Sequence, residues 1–390
     1  MPKPSTSPLD GIRVLDLGRV VAAPYAAQLL GDLGADVVKV ERPKVGDDVR
    51  AYANQGHFLA WNRNKRSITI DLSHADGQAL VKRLAEKADV LIENYIPGTM
   101  KRFGLDYESL SAANPKLIYC SVSGYGQEGP FAQRGGMDHI FQARGGLMSV
   151  LSPEPVRTGI VITDCVTGRD AASAILAALF ERTRTGMGQH IDIALIDSVM
   201  ALFSHAAQDY LASGQIPSAD ASAQAKVGWA GFLDCVDGKV LVLASRNPWF
   251  EGLCRVLGVP DAPKDPRYAQ PQARFKHRAE LEELLLPLAK RWNKAVLAEA
   301  LADAGVLAGA VNNAKEAFDD PAVQARGIAV TLPREDNPDL QVIKSPLGLS
   351  RTPPCYRRPP PRLGEHTHEI LREAGLSEGE IEKLSEAGAI

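Results

Sequence analysis

Hydrophobic positions in the first hundred residues switch repeatedly between two periods. Ile12 to Leu17 (IRVLDL) is a short apolar run of strand type, followed by Gly18 and a helical apolar pattern from Ala22 to Leu33. Gly34 closes that helix, and Asp36 to Glu41 (DVVKVE) reads as the next strand. A strand–helix–strand unit of this size implies parallel strands joined by a right-handed crossover. Ser67 to Leu72 predicts a third strand, Asp76 to Lys87 a helix, Asp89 to Glu93 a fourth strand and Leu117 to Val122 a fifth. The pattern predicts an α/β domain with helices on a mostly parallel sheet.

Residues 124–137 (GYGQEGPFAQRGGM) are glycine-rich and polar, hence a loop. Gly168 to Arg182 reads as an Ala-rich helix, Gln189 to Ala194 alternates like a strand, and Leu195 to Leu211 is helical again. The small, polar stretch 213–226 suggests a linker or mobile loop. Gly231 to Cys235 and Lys239 to Ala244 then form a predicted hairpin around Asp237-Gly238. Helices follow from Pro248 to Leu257 and across 277–303, so 225–325 reads as a smaller second domain. Proline-rich 353–361 leads to a charged amphipathic helix over about 366–387.

Composition narrows the function classes. With 390 residues, 45% hydrophobic and 23% charged, the chain is an ordinary globular one of two or three domains, neither disordered nor fibrous. A net charge of -3 argues against a nucleic-acid binder. Five dispersed Cys, with no CxxC pair and no Cys–His spacing, point to buried thiols in a reducing compartment and to no metal site. The opening eight residues lack an apolar core and no apolar run reaches ~18 residues, so neither a secretory leader nor a membrane span is expected. The expected location is cytoplasmic.

Charge distribution changes this picture. Residues 1–102 hold 15 Lys/Arg against 12 Asp/Glu, whereas the rest is acidic. Arg42 and Lys44, then Arg63, Lys65 and Arg66, then Lys101 and Arg102 each adjoin a predicted strand end. They read either as solvated surface charge or as a phosphate site at the strand ends, where α/β proteins bind ligands. The turn Gly18 to Pro24 is not GxGxxG, which argues against a nicotinamide cofactor even with Glu41 ending the second strand. Asp164, in TGIVITDCVTG, fits a helix N-cap or a nucleophilic carboxylate at a pocket mouth. No HExxH or GxSxG occurs.

Several segments, in serial order, resemble the family III coenzyme A transferases, the group that includes formyl-CoA and carnitine-CoA transferases. They are Pro8 to Leu17, Ala22 to Pro24 with Leu33 to Arg42, Asn64 to Ser67, Glu93-Asn94 with Pro97-Gly98, Ser123 to Tyr125, Thr185 to Gln189, and Leu363 to Thr367. By that resemblance Asp164 is the catalytic aspartate of an Asp-x-x-[Thr/Ser]-Gly pattern. It would carry CoA as an aspartyl-CoA thioester reached through mixed anhydrides. Arg42 matches the position at the adenine and phosphate end of CoA, and Asn94, Tyr95 and Arg102 those lining the nucleotide and diphosphate. Val21, Ala22, Ile70, Leu72 and Met137 match positions beside the CoA chain. Some members carry Gln where this chain has Val21, which argues against a one-carbon acyl group such as formyl. The resemblance implies no bound cofactor and no metal. Acyl-CoA, succinyl-CoA-like, is the donor and a small carboxylic acid, most simply a dicarboxylate, the acceptor. Arg19, Lys226 and Arg169 are candidate cations for a second carboxylate.

The implied fold is a Rossmann-like large domain over 1–205, completed by 335–390. A linker over 206–230 leads to a smaller α+β domain over 231–325, and 326–390 returns to the large one. Two such chains would form an interlaced homodimer. Two rival readings remain, the first of which shares the fold. An α-methylacyl-CoA racemase would need Gly-His-Asp where this chain has Gly136-Met137-Asp138, and His139 sits two places late. The other rival is a non-catalytic subunit of a heteromeric transferase.

Overall fold

The structure is a computed structural model and describes residues 7–52, 55–217 and 228–390. Contacts divide the chain into two units, one of residues 1–148, 156–208 and 327–390, the other of 149–155 and 209–326.

Six strands build the first unit: β1 (Arg13–Asp16), β2 (Asp36–Glu41), β3 (Lys65–Thr69), β4 (Val90–Glu93), β5 (Ile118–Ser123) and β6 (His190–Ala194). They pair in the order β3-β2-β1-β4-β5-β6, every pair parallel. That order reverses direction between β1 and β4, and the carboxyl ends of strands at such a switch point form a ligand crevice. Alternation along each strand separates two cores. Val14, Val37, Ile92 and Val122 face the first helix (Ala22–Asp32) and the long helix Ile162–Thr185. Leu15, Val38, Leu91 and Tyr119 face the helix Ala75–Ala85 and the C-terminal helices Thr367–Glu373 and Glu378–Glu386. The chain end therefore completes the layer begun by its first third.

The second unit is a three-stranded antiparallel sheet, β7 (Trp229–Cys235), β8 (Gly238–Ala244) and β9 (Leu307–Ala310). Helices Asn247–Val256, Arg278–Ala289 and Lys294–Asp303 cover it around Trp229, Phe250 and Leu285. Short strands β10 (Ala329–Thr331) and β11 (Gln341–Ile343) pair antiparallel after it.

Several elements differ from expectation. β3 spans 65–69 rather than 67–72, because Lys65 and Arg66 are neutralised inside the fold and so tolerate a buried strand. The 195–211 helix is broken at Phe203, giving Leu195–Leu202 and Ser204–Ser213. Residues 206–213 are thus helical rather than linker, and 218–227, with Lys226, lie outside the described residues. The helix over 277–303 is two helices parted at 290–293, and the C-terminal 366–387 stretch is likewise two. The helix expected from Gly168 begins at Ile162.

Candidate active site

The turn leaving β1 is clamped atom by atom. Asp16 Oδ1 accepts the Gly18 N–H at 2.9 Å, while Lys39 Nζ donates to the Gly18 carbonyl at 2.8 Å. The Asn94 amide takes both backbone groups of Arg19, accepting its N–H and donating to its carbonyl, each at 2.8 Å. Asp47 Oδ1 accepts the Val20 N–H at 3.0 Å. These bonds hold Val20 at φ +68°, a left-handed conformation that costs a β-branched residue on the order of 1–3 kcal/mol. Beneath the turn lies a buried charge network. Lys39 Nζ is 2.9 Å from Asp47 Oδ2, and Lys65 Nζ is 2.7 Å from Asp16 Oδ2 and 2.8 Å from Asn62 Oδ1. Burial pushes the Lys65 ammonium down to about 8, whereas Asp16, Asp47 and Glu41 raise that of Lys39 against its burial.

The clamp sets where the first helix starts. Val21, at its N-cap, makes no side-chain cap, and the Ala22 and Ala23 amides have no carbonyl one turn back to bind. A methyl group on Gly18 would stand 2.4 Å from the Ala23 Cβ, so only glycine lets the turn fold over this helix start. Gly168 does the same from the other side. A Cβ there would lie 2.7 Å from the Ala22 carbonyl oxygen, so the long helix packs directly on the first. Asp164 is one turn before Gly168 on the same helix face, and it lines one cavity with Val21 and Ala22.

Asp164 is not an N-cap. It lies inside the first turn of Ile162–Thr185, and its N–H donates to Asp138 Oδ2 at 2.9 Å, so the cap comes from another helix. Gln142 donates to the other Asp138 oxygen and accepts the Thr158 N–H at 3.0 Å, fixing the approach to the helix. Among the described residues the Asp164 carboxylate makes no ion pair or side-chain hydrogen bond. Burial, helped by the Asp138 charge, pushes its carboxyl up to about 7. Asp164 lines a cavity of about 220 Å³ with Val21, Ala22, Asn94, Tyr95 and Met137.

A second cavity of about 230 Å³ is lined by Arg42, Ile70, Leu72 and Tyr95, and Arg19 and Tyr95 line both. The Arg19 guanidinium lies over the Tyr95 ring, 5.2 Å from its centroid. Arg19 and Arg42 share one carboxylate, Asp48, at 3.4 and 2.5 Å, so neither guanidinium has a carboxylate to itself.

Of the ten residues that the resemblance matches to the catalytic position or to positions along CoA, nine thus line two cavities with common walls. Arg102 does not; it is exposed, with its guanidinium beside Thr99. Ile70 and Leu72 stand with Arg42 rather than in the Asp164 cavity. Arg63, Lys65 and Arg66 are withdrawn from any phosphate site. Arg63 binds Asp32 at 2.6 Å, Lys65 binds Asp16, and Arg66 binds Asp36, Glu369 and Glu373. Glu41 is likewise spent on Arg50, at 2.7 Å from both nitrogens. Arg169 reaches Tyr25 Oη at 3.3 Å and lines neither cavity. Arg134, Gly135 and Gly136 line the Asp164 cavity and were missed, although they sit in the glycine-rich loop. Glu93 is also pushed up to about 7 by burial, but it borders a separate cavity with Ser121 and His190. Among the described residues no cluster of His, Cys, Asp and Glu has the form of a metal site, and no helix is long and apolar enough to cross a membrane.

The sequence signature of CoA-transferase family III matches residues 9–367. The succinate–glutarate CoA-transferase of Agrobacterium fabrum is 41% identical over 94% of this chain and 95% of its own length. The succinyl-CoA:glutarate CoA-transferase of Mus musculus is 37% identical over 99% of this chain and 91% of its own. Among solved structures, a CAIB/BAIF family protein from Brucella suis superposes with a TM-score of 0.89 at 38% identity. That match covers 95% of this chain and all of that one.

Proposed function

This chain belongs to CoA-transferase family III, and from that premise we propose that it moves CoA from succinyl-CoA to a small dicarboxylic acid, glutarate first, with the Asp164 carboxylate as covalent carrier. The observation that carries the reading is a half-buried carboxylate with no ion pair among the described residues, pushed up to about 7, in one cavity with the start of the first helix. A carboxylate partly shielded from water and without a cationic partner is a better nucleophile than a fully solvated one, and its acyl derivatives match the substrate's in leaving ability.

The steps balance without a proton. An Asp164 oxygen attacks the donor thioester carbonyl, the C–S bond breaks, and a mixed anhydride and CoA thiolate form. The thiolate attacks the Asp164 acyl carbon, releasing the donor acid as carboxylate and leaving an aspartyl-CoA thioester. The acceptor carboxylate attacks that acyl carbon and frees the thiolate again. The thiolate then takes the acceptor acyl group from the second anhydride, which restores Asp164. Each tetrahedral intermediate carries an oxyanion, and the Ala22 and Ala23 amides with the positive end of the first helix are the donors we assign to it. The nucleotide of CoA would lie with Arg42, Ile70 and Leu72, and its chain would pass Arg19, Asn94 and Tyr95 to reach Asp164. Met137 stands where a racemase needs a proton-accepting His, so the chain lacks that base.

Purified protein, alone, is mixed with succinyl-CoA and a panel of carboxylic acids. New acyl-CoA should appear with dicarboxylates such as glutarate and far less with monocarboxylates of equal length. Absence of transfer to every acid would refute the reading for this chain acting without a second subunit. The same reading includes a homodimer, interlaced as the resemblance implies; sedimentation should give a dimer, and a folded monomer would contradict it.

A further inference from the structure

We propose that Asp47 is a positioning residue for transfer: its bond to the Val20 amide holds the Gly18–Val21 turn in the conformation that aims the start of the first helix at Asp164. The inference rests on the Asp164 reading above. Four side chains clamp this turn, but Asp47 is the one that binds the residue in the left-handed region. Valine disfavours that region, and glycine adopts it without strain. The clamp is itself held firmly. Asp47 Oδ2 meets Lys39 Nζ at 2.9 Å, its own N–H donates to Glu41 Oε2 at 3.0 Å, and Arg50 grips Glu41. Asp47 is buried and borders the Arg42 cavity rather than the Asp164 cavity, so toward the reacting atoms it acts through Val20. Release of Val20 lets the backbone leave φ +68°, and the two residues that follow are Val21 and Ala22, which do line that cavity.

The test is a double-mutant cycle on turnover, using succinyl-CoA and whichever acid the wild type converts fastest. Asp47→Ala should lower kcat roughly tenfold to a hundredfold, the size of effect expected when oxyanion donors are misplaced, with the KM of the acceptor acid changed less than about threefold. Asp47→Asn keeps an oxygen for the Val20 amide and should retain most of kcat. Adding Val20→Gly to Asp47→Ala should recover about threefold or more, because glycine holds the turn without the clamp. A residue that merely stabilises the fold through Lys39 predicts no such recovery. Strictly additive effects, or an unchanged kcat in Asp47→Ala, would overturn the proposal. If Asp47→Ala does not fold, Asp47→Ser, whose hydroxyl is too short to reach the Val20 amide, takes its place in the cycle with the same expected recovery and the same refuting result. An active Asp164→Asn enzyme would instead sink the nucleophile assignment, and the cycle reports on the turn independently of it.

Discussion

Replacing Asp164 by Asn should abolish transfer and, through the same atoms, make the protein more stable above neutral pH. In the folded chain burial and the Asp138 charge hold this carboxyl near 7, while an unfolded chain holds it near ~4. The folded state therefore favours the neutral form. That contribution is fully present below about pH 4 and is lost as pH rises through about 7. At ~1.4 kcal/mol per tenfold change, the ionised group destabilises the fold by up to about 4 kcal/mol at high pH. Roughly 3 kcal/mol of this develops between pH 5 and pH 8.5. Water reaching the half-buried carboxylate reduces the figure, so a gap of about 1–3 kcal/mol is expected. An amide of the same shape carries no charge at either pH. Denaturant unfolding of both proteins, without ligand, at pH 5 and pH 8.5 isolates the effect, since all other groups cancel in the difference. The variant should gain on the wild type as pH rises. An advantage that does not change between the two pH values would refute the account of Asp164 as a carboxylate held against ionisation for the sake of its chemistry.

Activity should show the complementary dependence. The attacking carboxylate must be ionised, so kcat/KM of the free enzyme should rise with pH through about 7. Asp138→Asn keeps an oxygen for the Asp164 N–H but removes the like charge, and should move that midpoint down; an unmoved midpoint would leave burial as its sole cause. For CoA recognition, Arg42→Ala should raise the acyl-CoA KM about tenfold with kcat nearly unchanged, an effect that weakens at high salt. Arg102→Ala should alter KM less than about twofold, because that side chain lines neither cavity; the reverse ranking would contradict the cavity assignment.

Much of the first unit was legible because β1, β2, β4 and β5 are short apolar runs, buried on both faces. β3 was misplaced for a reason no local window contains. Lys65 and Arg66 look like solvent-facing charge until Asp16, Asp36, Glu369 and Glu373 arrive from other elements, the last two some three hundred residues later. The same pairing explains why a basic first third suggested more phosphate ligands than the crevice holds: among its described residues Arg19, Lys39 and Arg42 line the two cavities, and Lys39 is taken up by Asp47. β9 (LAGA) carries no β-branched residue and owes its strand state to β8.

At the site, the residues alone left Asp164 between a helix cap and a nucleophile, and it was the family resemblance that singled it out; the glycine four residues on has a physical reason in its contact with Ala22. The true place of Asp164 in the helix was hidden because Ile160 to Ile162 resembles strand and because the cap, Asp138, lies 26 residues back. The strain at Val20 leaves no trace in composition. A valine followed by another valine and two alanines reads as an unremarkable helix start, and only Asp47 and Asn94, remote in sequence, reveal that the turn is held.

The most direct measurement of the central claim is the mass of the protein after incubation with succinyl-CoA in the absence of acceptor acid. The account predicts a gain of one CoA less one water, confined to the peptide bearing Asp164, converted to a hydroxamate by hydroxylamine, and missing in Asp164→Asn. A wild-type enzyme that turns over yet accumulates no such adduct under any acceptor-free condition, or carries it on another residue, would contradict the account.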